Sequence, residues 1–85
     1  MNNKILDLIE IALEKDLETR DLKFCNSKNI DNWDSLSIMN LVVLLEENFN
    51  ITLTDEDINQ IMQSGENIPS IVEKRLNNGT ILYNE

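Results

Sequence analysis

Apolar residues recur at helical intervals over most of this chain, and no stretch shows the strict alternation of a half-buried strand. Residues 3–18 place Ile5, Leu6, Leu8, Ile9, Ala12, Leu13 and Leu17 on one side. Asp7, Glu10, Glu14, Lys15 and Glu18 lie on the other, which predicts a first helix. The periodicity stops from Thr19 to Asp34, where Asn26, Ser27, Asn29 and Asn32 favour side-chain-to-backbone bonds over regular structure. Leu22, Phe24, Ile30 and Trp33 make the same stretch too apolar for a solvated linker, so an ordered loop across the helix ends is expected. Residues 35–49 resume the helical period. Ile51 and Leu53 in the connector that follows are expected to point inward. Thr54-Asp55-Glu56-Asp57, a hydroxyl cap with an acid three residues on, opens a short third helix through Met62. Pro69 fits only the first turn of a helix, so a fourth begins near Asn67 or Ile68. Ile68, Ile71, Val72 and Leu76 form its stripe, and Gly79 is its expected stop. The reading is all-α: one domain over residues 1–85, a four-helix bundle with a long ordered first loop. Its helices lie at about 3–18, 35–49, 55–62 and 68–78, with loop 19–34 and tail 79–85.

The second helix has two apolar faces. At about 100° per residue, Ile38, Leu41, Val42, Leu45 and Phe49 cluster within roughly 50° of one direction and form a core stripe. Leu36, Met39 and Val43 form a second stripe, roughly 100–160° away, flanked by Glu46 and Glu47. A small bundle does not enclose both faces of one helix. The second stripe is therefore either a partner-binding surface or the lining for another element.

Composition narrows the classes. A chain of 85 residues has one modest core and little room for a deep active site. Seven Lys plus Arg against sixteen Asp plus Glu give a net charge of −9, which argues against nucleic acid and anionic membrane and for partner proteins with basic patches. There is no His, so the commonest general base and metal ligand is missing. The single Cys25 provides no internal disulfide and fits a reducing compartment. Met1 to Asp7 does not read as a secretion leader. The longest apolar run, Leu41 to Leu45, is too short for a membrane helix. A cytoplasmic, acidic monomer is expected.

Ser35 sits where loop becomes helix, and its plainest role is that of an N-cap. Asp34 is an equally good cap, however, and would leave the Ser35 hydroxyl free at a helix start whose amides and dipole favour an attached phosphate. Without His there is no Ser-His-Asp nucleophile.

Asp34-Ser35-Leu36 opens this helix and Leu45-Glu46-Glu47-Asn48-Phe49-Asn50-Ile51 closes it, followed by Leu53-Thr54-Asp55-Glu56-Asp57. Over most of its length, the chain resembles the acyl carrier proteins. The resemblance implies a carrier rather than an enzyme. A phosphopantetheinyl transferase would esterify Ser35 with 4′-phosphopantetheine from coenzyme A, and the thiol of that arm would hold acyl groups as thioesters. Asp34 and Leu36 would be read by the transferase. Leu36, Met39 and Val43, with Glu46 and Glu47, would meet the acyl-loading and acyl-using enzymes. Ser37 and Asn40 stand where carriers of fatty-acid synthesis usually have acids, and Asn32 where they usually have Gly. The Trp-Asp-Ser-Leu form looks more like free-standing carriers of specialised pathways, such as surface-polysaccharide or secondary-metabolite synthesis. An aminoacyl or D-alanyl carrier of the same fold, and a small acidic adaptor or inhibitor without a covalent arm, are the alternatives.

Four features compete for attention. Asp55-x-Asp57-x-Asn59 with Glu66 imitates a calcium loop, but Gln60 stands where that loop needs Gly, and Ile58 and Ile61 continue a helical face. Cys25 reads as a small buried hydrophobe and Trp33 as an anchor of the loop on the bundle. Ile61, Met62 and Ile71 read as core.

Overall fold

The computed structural model describes residues 1–84, with side chains through residue 77. Four α-helices, α1 (Asn2–Leu13), α2 (Ser35–Phe49), α3 (Asp55–Gln63) and α4 (Ile68–Asn84), are joined by loops containing single 3₁₀ turns at Leu22–Phe24 and Gly65–Asn67. No strand occurs among the described residues. The predicted four-helix, all-α architecture is the one observed, and α2 has the predicted bounds.

Two boundaries differ from expectation by more than one residue. The first helix ends at Leu13, not near residue 18, because Glu14 turns left-handed at φ 58°. Its N–H donates to the Ile11 carbonyl and that of Lys15 to the Glu10 carbonyl, both at 3.2 Å, which closes the helix with a Schellman-type turn. The Glu10 carboxylate then accepts the Leu17 N–H at 2.8 Å and pairs with Arg20 at 2.7 Å, holding the chain as it folds back. Leu17 thereby packs against the core from a loop, which is why its apolar side chain falls in step with the helical pattern before it. At the other end α4 continues through Gly79, and the expected tail at 79–84 belongs to the helix. A glycine inside a helix costs only about 1 kcal/mol relative to alanine, and no proline follows to enforce a stop. Glu85 lies outside the described residues.

The core runs through the bundle axis, with Ile5, Ile9, Ile38, Leu41, Leu45, Ile61, Ile68 and Val72 fully buried. α1 packs chiefly on α2, and α3 bridges α2 to α4. Leu53 is buried and Ile51 packs against the core at its edge, as the connector pattern predicts. Thr54 and Asp57 form the predicted capping box: Asp57 N–H donates to Thr54 Oγ1 at 3.1 Å, and Thr54 N–H donates to Asp57 Oδ2 at 3.0 Å. The same carboxylate accepts Arg75 of α4 through Nε at 2.7 Å and Nη2 at 3.0 Å, so one acid both caps α3 and ties it to α4.

The first loop is anchored where α3 gives way to α4. Gly65 N–H donates to the Cys25 carbonyl at 2.7 Å. A side chain on Gly65 would put its Cβ 2.8 Å from Cys25 Cβ and 3.2 Å from the Trp33 ring, so this approach requires glycine. Cys25 is wholly buried here as a packing residue, as expected from its type.

Candidate functional site

The start of α2 is built by the three residues before Ser35. Asp34 is extended and takes the cap itself: its Oδ1 accepts the Ser37 N–H at 3.1 Å, while its carbonyl accepts the Ile38 N–H at 2.9 Å. With the cap occupied by its neighbour, Ser35 is exposed and its hydroxyl is not spent on holding the helix end. No acidic residue occurs in the first turn of α2, where the helix dipole favours negative charge.

Trp33 is 4% exposed, and its Nε1–H donates to the Met62 carbonyl at 3.1 Å near the end of α3. The sequence marks Trp33 as an anchor by its size. The carbonyl it binds has no sequence signal. Asn32, which the sequence marks for a side-chain-to-backbone bond without naming the partner, donates through Nδ2 at 3.1 Å to the carbonyl of Leu13, the last residue of α1. Asn32, Trp33 and Asp34 thus satisfy the ends of three different helices in succession. The only local hint was a polar-aromatic-acidic run directly before a helix.

Beyond Ser35, α2 turns the second stripe outward. Leu36 is 76% exposed, Met39 47% and Val43 51%, while Ile38, Leu41, Val42 and Leu45 are buried and Phe49 packs at the core edge. The two faces separate as the angles predict. Glu47 is exposed beside the outward stripe. Glu46 is half-buried, and its Oε2 accepts the Leu53 N–H at 2.9 Å, so this acid also fixes the connector to α3.

The competing features take structural roles. Asp57, central to the calcium-like spacing, is held by Arg75 and Thr54 within a regular helix. No group of three or more His, Cys, Asp or Glu suited to a metal occurs among the described residues. The Arg75 guanidinium beside Asp57 holds its carboxyl below the usual range against the opposing effect of burial, with Thr54 assisting. Burial, reinforced by the charge of Asp21, pushes the Cys25 thiol up to about 11. Ile61 and Ile71 are core residues, and Met62 packs against the core. No helix among the described residues is long and apolar enough to cross a membrane.

No protein-family model matches the chain, and no solved structure matches it.

Proposed function

We propose that the chain is an acyl carrier protein, modified at Ser35 with 4′-phosphopantetheine and carrying acyl groups as thioesters on that arm. The observation that supports this most is the exposed Ser35 hydroxyl, left free because Asp34 takes the cap. Ser35 Oγ would accept the phosphoryl group of coenzyme A, losing its proton, while the bond to adenosine 3′,5′-bisphosphate breaks. The group fits the residues present. A phosphodiester at Ser35 would stand at the positive end of α2, where no acid follows it in the first turn and the neighbouring Asp34 carboxylate is already bonded to the Ser37 N–H. Among the chain's own groups there is no His to act as catalyst, and Cys25 is buried, so the working thiol would belong to the arm. Leu36, Met39 and Val43, with Glu47 and the outer edge of Glu46, offer an apolar patch with an acidic border to partners bearing basic patches. Those partners are a phosphopantetheinyl transferase and the enzymes that load and use the cargo. Such a carrier would work as a cytoplasmic monomer, and its Ser37 and Asn40 suit a specialised pathway better than housekeeping fatty-acid synthesis.

Incubation with coenzyme A, Mg²⁺ and a promiscuous transferase should add the mass of one phosphopantetheine, and Ser35→Ala should abolish the gain. No gain with any of several such transferases overturns the reading. The same exposed stripe also suits a second reading, an acidic adaptor without an arm. It differs in one outcome: Ser35→Ala would keep the partner and Met39→Glu would lose it.

A further inference from the structure

We propose that Asn32 and Trp33 are positioning residues for the modification of Ser35, acting by tying the start of α2 to the ends of α1 and α3; this rests on the carrier reading. A helix leaves its last carbonyls without an internal donor. Asn32 Nδ2 supplies one to Leu13 of α1, and Trp33 Nε1 supplies one to Met62 of α3, each at 3.1 Å. The next residue, Asp34, supplies the acceptor for the Ser37 N–H of α2. Three consecutive side chains thus clasp three helix ends, and Ser35 follows immediately.

The clasp is partly buried. Trp33 is buried beside Gly65, and its bond to the half-buried Met62 carbonyl is partly shielded from solvent, where an unpaired acceptor is costly. Asn32 Oδ1 is buried with no hydrogen-bond partner among the described residues, so the Leu13 bond alone fixes that side chain. Burying an unpaired acceptor lowers stability. Asn32 is thus a poor choice for packing alone and a good one for reaching Leu13.

Transfer to Ser35 needs its Oγ at a defined place when the transferase docks, and small misplacements lower the rate steeply. Trp33 lies one residue from the cap. Release of its indole therefore frees Asp34 directly, and with it the first turn that presents Ser35. A looser clasp reduces the fraction of chains that dock productively, which raises the apparent KM by the reciprocal of that fraction and leaves kcat unchanged.

The test uses the full chain, coenzyme A, Mg²⁺ and a transferase that loads the wild-type protein. Trp33→Phe keeps an aromatic ring there while removing the donor and part of the indole; Asn32→Ala removes the other donor. Each should raise the KM for the carrier, by at most about fivefold, with kcat unchanged; about fivefold is the factor expected for one hydrogen bond. Native-state hydrogen exchange on the unloaded chain should show the Ser37 amide exchanging about fivefold faster, with Ile9 and Val72 unaffected. Wild-type KM in both variants overturns the positioning role. So does exchange that quickens equally in every helix, the mark of a general loss of stability. A wild-type chain that accepts no phosphopantetheine overturns the carrier reading and the positioning role together, which separates the two failures.

Discussion

Ser35 keeps a free hydroxyl because Asp34, one residue earlier, is extended and accepts the Ser37 N–H. A cap one position later would have consumed the group the proposed chemistry needs. That either residue could cap was legible in the sequence, since both belong to the preferred set; which one does is set by the backbone that Asn32 and Trp33 hold. Cys25 shows the same division. Its type suggested burial, but the contact with Gly65 that seals it joins residues forty positions apart in the numbering. A thiol raised to about 11 is only about 0.1% thiolate at pH 8, and it has no access to reagent. A disulfide reagent should therefore react slowly with the native, unmodified chain and rapidly in denaturant. Fast reaction of the native thiol would refute its burial.

At the level of the element, α2 is the most legible helix and the most divided in purpose. Its bounds were readable because a cap candidate opens it at Asp34 and the helical period runs unbroken to Phe49; the structure adds that Asn50, at φ 55°, turns the chain after it. α1 and α4 were less legible for opposite reasons. Glu14 carries no signal for a left-handed stop, and Gly79 carries one that α4 does not use. The two faces of α2 should respond differently to mutation. Leu45→Ala empties a fully buried site and should cost about 2–5 kcal/mol. Met39→Glu alters an exposed one and should stay within about 0.5 kcal/mol. Urea unfolding of both variants checks this; equal losses would mean that the outer stripe is also packed.

Across the whole molecule, α3 depends on contacts remote in sequence. Asp57 is buried and joined to Arg75 eighteen residues on, and its depressed carboxyl pKa links stability to pH. The folded chain binds the Asp57 proton less readily than the unfolded one. The stabilisation is thus fully present above the ordinary aspartate value of about 3.9 and is lost as pH falls through the lower folded value. Thermal melts should show the midpoint falling in acid, and Asp57→Asn should melt lower near neutrality with a smaller further drop in acid. An acid response identical in wild type and variant would exclude Asp57 as its source. Glu10, lowered first by the Leu17 N–H and then by Arg20, adds a contribution of the same sign at a partly exposed site, so the variant should retain some acid sensitivity.

The sequence by itself determined what depends on neighbours along the chain: helical periods, the two faces of α2, the Thr54–Asp57 capping box, and an acidic chain with a serine at a helix start. Those follow from local stereochemistry and residue type. Tertiary structure decided what depends on convergence: the end of α1, the Arg75 partner of Asp57, the Gly65 seat against Cys25, and the joining of three helix ends by Asn32, Trp33 and Asp34. A carbonyl at the end of a helix is chemically the same in every sequence. Only the packing of the bundle brings Leu13 and Met62 within 3.1 Å of the side chains that complete them.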